Sequence, residues 1–113
     1  MSIAYKSNSR LGRRRSQRVV LSMPVVVFEP QSNRKEPIEK ARTLSVSRHG
    51  GLMTMRVSVQ CGQSLMVTNP YSRVSQECRV VYVTPGKEES RQVGFEFLGP
   101  AISFWNIEFP VSA

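Results

Sequence analysis

Apolar and polar residues alternate along this chain in short runs, broken repeatedly by glycine, proline, asparagine and serine. Gln92 to Leu98 shows the pattern most cleanly. Val93, Phe95 and Phe97 fall on one face, and Gln92, Gly94 and Glu96 on the other. A period of two is the mark of a half-buried strand. The same reading predicts five more strands. Val19 to Phe28 is rich in valine, and Pro24 withdraws a ladder donor from it, so an edge or a bulge is expected there. Ile38 to Ser47 sets Leu44 and Val46 on one face and Thr43, Ser45 and Ser47 on the other, predicting a core face and a row of outward hydroxyls. Leu52 to Val59 groups Met53, Met55 and Val57. Ser64 to Thr68 is short, and Glu77 to Thr84 carries the good β formers Val80, Val81, Tyr82 and Val83.

Turn and loop signals separate these runs: Glu29 to Pro37, Cys61-Gly62-Gln63, Asn69-Pro70 and Pro85 to Ser90. Arg48-His49-Gly50-Gly51 reads as a tight turn whose glycines allow positive φ and close approach of a ligand to the backbone. Gly99-Pro100 then breaks the alternation. Ala101 to Phe109 places Ile102, Trp105 and Phe109 at spacings of three and four, which predicts a short helix packed on the end of the fold, with Trp105 as a packing residue. Six short strands divided by turns predict an all-β barrel or sandwich. At 113 residues the chain is one domain with a modest core.

Charge changes the picture. The chain carries 16 lysines and arginines against 8 acids, all of them glutamate, for a net charge of +8. Lys6, Arg10, Arg13, Arg14, Arg15 and Arg18 precede the first acid, Glu29, so the positive charge is polarised toward the N-terminus. Residues 1–12 read as a flexible basic arm, and 13–110 as the folded domain. An anionic partner follows from this polarity. Arginine offers a planar, forked, permanently charged donor set suited to phosphate and to guanine edges. If Arg14 and Arg18 lay in a straight strand they would stand about 13 Å apart, at about 3.3 Å per residue, so gripping one compact anion requires a bend.

Other chemistries are excluded on composition. Cys61 and Cys78 make no disulfide framework, and free thiols in a reducing cytoplasm are the default expectation. No apolar leader and no run of membrane-spanning length appears. One histidine, His49, with no aspartate and no CxxC offers no metal site. Ser47 and His49 stand two residues apart with no acid marked out to orient the histidine, so no catalytic triad is predicted. Gly50-Gly51 is not followed by the Gly-Lys-Ser/Thr of a phosphate-binding loop. The chain reads as a non-enzyme without a cofactor.

Two motifs taken together carry a resemblance. Arg14-Arg15-Ser16-Gln17-Arg18 precedes the first strand, with Arg13 doubling its start, and Ser45-Val46-Ser47-Arg48-His49-Gly50 closes the second. In that order, with Val93-Gly94-Phe95-Glu96-Phe97 as a closing strand, they resemble the RxxxR and [D/N]xSxxG motifs of the PilZ domain family, over roughly residues 10–110. The resemblance implies a six-stranded antiparallel split β-barrel with a short C-terminal helix. It implies a non-enzymatic receptor for the bacterial second messenger cyclic di-GMP, bound through Arg13, Arg14, Arg18, Ser45, Ser47 and Gly50, which relays the signal to a partner protein. Ser45 stands where the family has aspartate or asparagine. A hydroxyl makes one contact where a carboxylate accepts two donors from a guanine edge, so binding weaker by about one to two decades is expected.

Two other classes compete. A degenerate barrel would bind no nucleotide and act as an interaction module, with the C-terminal helix around Trp105 as its docking surface. A basic RNA- or DNA-binding barrel would need aromatic residues on an open strand face, and Tyr71 and Tyr82 are isolated in the sequence. No specific nucleic acid is therefore expected.

Overall fold

The structure, a computed structural model, describes residues 18–30, 36–85, 91–101, 103–107 and 109. Among them the chain forms seven strands: β1 Val19–Val20, β2 Pro24–Phe28, β3 Glu39–Ser47, β4 Gly50–Thr54, β5 Ser64–Asn69, β6 Val74–Val83 and β7 Gln92–Phe97. All pairings are antiparallel. Six of the strands close a ring in the order β2-β3-β4-β7-β6-β5 and back to β2, and β1 lies outside it, on the same edge of β3 as β2. The six-stranded antiparallel barrel expected from the sequence is the fold observed.

The first predicted strand is split, and Pro24 marks the place. β1 ends at Val20 and β2 begins at Pro24, with Val20 opposite Ser45 but Pro24 opposite Arg42, one residue out of step. Thr43 fills the gap. Its hydroxyl donates to the Leu21 carbonyl and accepts the Met23 N–H at 3.0 Å. Its own N–H donates to the Met23 carbonyl at 2.9 Å. A buried hydroxyl is costly unless bonded, and here it repairs the ladder that the break leaves open.

This break corrects the expected faces of β3. Thr43 points into the core and is fully buried, while Leu44 is exposed. A bulge between Thr43 and Ser45, where β3 pairs with β4, shifts the alternation by one residue. Beyond the bulge the expectation holds: Val46 is buried, and Ser45 and Ser47 are half-buried on the outer side.

The core contains Val25 and Val27 from β2, Met53 from β4, Leu65 and Val67 from β5, Cys78 and Val80 from β6, and Val93 and Phe95 from β7. Met53 and Met55 are buried as expected, whereas Val57 is exposed because β4 ends at Thr54. Glu39 stops that strand. Its carboxylate accepts the N–H groups of Arg56 (2.8 and 3.0 Å) and Val57 (2.9 Å), taking donors that a longer ladder would use. Among the described residues no helix is long and apolar enough to cross a membrane.

The predicted C-terminal helix is not formed. The described residues of 101–109 make turns and bends, with a single Phe104 N–H to Ala101 carbonyl bond of 3.2 Å. Two features divert the backbone. Asn106 takes a φ of 60°, outside the helical region. The Phe104 carbonyl accepts Asn69 Nδ2 (2.7 Å) and Ser72 Oγ (3.3 Å), so tertiary donors bond it across the fold. Phe104 and Trp105 are both buried, which gives Trp105 its expected packing role and removes it as a docking surface. Ile102 lies outside the described residues.

Cys61 is exposed and Cys78 buried, both as free thiols. Burial, with a smaller contribution from the Glu77 charge, pushes the Cys78 thiol from its ordinary 9.0 up to about 12. Below pH 9 the thiol is protonated in both states and its contribution to stability is fully present. Between pH 9 and 12 only the unfolded thiol releases its proton, so stability falls as pH rises. The denaturant midpoint should fall more steeply over that range for the parent than for Cys78→Ala. Equal slopes would remove this thiol as the cause.

Candidate functional site

The register of the barrel sets the outer face of β3, β4, β7 and β6 out as two rows. Ser45 pairs with Leu52, Leu52 with Gly94, and Gly94 with Tyr82. One step along, Ser47 pairs with Gly50, Gly50 with Glu96, and Glu96 with Arg79. Arg18 immediately precedes β1, whose Val19 lies opposite Val46, so it stands at the end of the second row beside Ser47. A cleft of about 840 Å³ runs over these rows, lined by Arg18, Ser45, Ser47, Gly50, Leu52, Tyr82 and Glu96 among others.

Four of the six residues expected at the site, Arg18, Ser45, Ser47 and Gly50, therefore share one cleft. Arg13 and Arg14 lie outside the described residues, as does the arm of residues 1–12. Ser47 Oγ accepts the His49 N–H at 3.2 Å, which folds the Arg48–His49 turn and leaves the hydroxyl proton to donate. The turn is held from below by Trp105, whose indole N–H is shared between the carbonyls of Ser47 (2.9 Å) and Gly50 (3.2 Å). His49 also accepts the Phe97 N–H on its carbonyl at 2.8 Å.

The glycines do different work from that expected. Gly50 and Gly51 lie within β4, and neither has positive φ. A Cβ on Gly50 would fall 2.0 Å from the Phe95 carbonyl oxygen and 2.8 Å from Glu96 Cα. The pairing of β4 with β7 by itself demands the absence of a side chain here. That absence also leaves a bare strip between Ser47 and Glu96.

Leu52, Tyr82 and Glu96 are among the lining residues not expected at the site from the sequence. Leu52 and Tyr82 give the cleft an apolar floor, and Glu96 gives it a carboxylate. Tyr82 reaches the outside because a bulge between Val80 and Tyr82 turns two consecutive residues outward, leaving Val81 49% and Tyr82 52% exposed. Its Cβ and Cδ2 would lie 3.1 and 3.7 Å from a Cβ on Gly94, so its side chain covers that glycine. The one available signal was Gly94 within an otherwise large-residue strand, since glycine in a strand often marks a close approach. Glu96 was legible as outward from the period of two.

Fold and cleft together define a small closed antiparallel barrel with a mixed polar and apolar cleft on its outer wall. No protein-family model matches this chain, and no curated protein matches it. It is similar to a solved structure, that of the Bacillus subtilis inhibitor of motility MotI/DgrA, with a TM-score of 0.58 and 20% sequence identity. The match covers 82% of this chain and 46% of that one, so this chain spans about half the length of its structural neighbour. At that identity the likeness establishes the fold, a PilZ-like barrel.

Proposed function

We propose that this chain is a non-enzymatic cytoplasmic receptor that binds cyclic di-GMP in the outer cleft and passes the signal to a partner protein. The observation that carries the reading is the convergence of Arg18, Ser45, Ser47 and Gly50 on one cleft. They come from two motifs far apart in sequence, and the pairing of β3 with β1 and with β4 sets them on one outer face. Arg18 supplies a forked cation for phosphate or for guanine O6 and N7. Ser47 donates a hydroxyl proton, and Tyr82 offers a ring on which a base can stack. On the motif resemblance alone, Arg13 and Arg14 are assigned as further cations for the ligand. The structural neighbour is an inhibitor of motility by name, in line with a regulator that acts on another protein.

Isothermal titration of the purified chain with cyclic di-GMP at near-physiological salt tests the reading. Saturable binding with no response to linear GMP is expected. Arg18→Ala should weaken it by about tenfold or more, the worth of a charge-assisted hydrogen bond, with the melting temperature nearly unchanged. A flat trace from folded parent protein would sink the reading. Unchanged affinity in the Arg18 variant would move the site elsewhere.

A further inference from the structure

We propose that Glu96 reads the base edge of a guanine in the cleft, supplying the carboxylate that Ser45 lacks. The inference rests on the receptor reading above and names the residue that sets its base specificity.

The position of Glu96 is the first argument. It faces outward on β7, is exposed, and lines the cleft. Its carboxylate makes no hydrogen bond or ion pair with any described residue, although Arg79 stands opposite on β6. Its neighbour on the other side is Gly50, which has no side chain and whose place a Cβ would not fit. The carboxylate therefore overlooks a bare strip of backbone, with Ser47 about 10 Å away across two strand spacings. That width admits a purine.

The second argument is the pairing of Glu96 with a stacking surface. Gly94, covered by the half-exposed Tyr82, lies two residues before Glu96 on the same outer face of β7. The separation is about 7 Å along the strand. A base resting on Tyr82 brings an edge to Glu96.

Chemistry then selects the base. Guanine presents N1–H and N2–H donors side by side, and an ionised carboxylate is acceptor-only with two oxygens to receive them. Adenine presents an acceptor at N1 and no amino group at C2, and would meet the carboxylate with a lone pair. The cleft is polarised to match a cyclic dinucleotide. Arg18 at one end attracts phosphate, while Glu96 repels phosphate and accepts a base edge.

The test compares cyclic di-GMP with cyclic di-AMP in titrations of the parent, Glu96→Ala and Glu96→Gln, each checked for an unchanged melting temperature. The parent should prefer cyclic di-GMP. Both variants should lose about tenfold to a hundredfold in affinity for it and show no loss for cyclic di-AMP. Parent-like cyclic di-GMP binding by Glu96→Ala would overturn the assignment while leaving the receptor reading intact. Equal losses for both dinucleotides would overturn the base-edge role. A parent that binds neither dinucleotide would overturn the receptor reading and this inference with it.

Discussion

Gly50→Ala should unfold the barrel and not merely weaken a ligand. The added methyl would sit 2.0 Å from the Phe95 carbonyl oxygen, and backbone on a neighbouring strand has no rotamer by which to retreat. Relief requires β4 to part from β7. These strands pair over five residues, from Gly50 opposite Glu96 to Thr54 opposite Gln92. Losses above about 4 kcal/mol are reserved for such steric or cavity defects, and a domain of this size has only about 5–15 kcal/mol in all. We expect a fall of about 15 °C or more in melting temperature, followed by circular dichroism, or no soluble protein. If the glycine served only to admit a ligand, the variant would melt with the parent and fail in titration alone. That result would refute the packing account.

Trp105→Ala should be the second most damaging change, by about 3–5 kcal/mol, the range for deleting a large buried aromatic side chain. The ring packs edge-on against Phe104 at 4.8 Å between centroids and lies 6.3 Å from Phe95. Its indole N–H clamps the carbonyls that flank the Arg48–His49 turn. Trp105→Phe separates the two roles, because it keeps most of the ring and removes the donor. Its melting temperature should fall between those of the parent and the alanine variant. Parent-like unfolding of Trp105→Ala would mean that the C-terminal segment contributes nothing to closing the barrel end.

The alternation of Gln92 to Leu98 was sufficient to place Val93 and Phe95 inside and Glu96 outside, because a regular strand obeys its period. The interruption at Pro24 was legible for a similar reason, since a missing N–H has only a few tolerated places in a sheet. The two bulges were not legible. Nothing local in Thr43-Leu44-Ser45 or in Val80-Val81-Tyr82 distinguishes a continuous strand from one carrying an extra residue. Only the closure of the ring selects the bulged form. Each bulge matters to the cleft: one keeps Ser45 and Ser47 outward while Thr43 turns in, and the other delivers Tyr82. The helix expected over 101–109 failed because local spacing was outweighed by Asn69 and Ser72, donors more than thirty residues distant that bond the Phe104 carbonyl.

The ring of strands closes without β1, and Arg18 is attached on the far side of that short strand. The consequence concerns descent more than affinity. Substitutions in the segment proposed to meet the anion escape the test that folding applies to every core position. On the receptor reading proposed above, a lineage can retune, silence or re-create its response by changing that segment alone, while the barrel persists as an inherited chassis. Related chains would then share a shape long after they ceased to share a ligand.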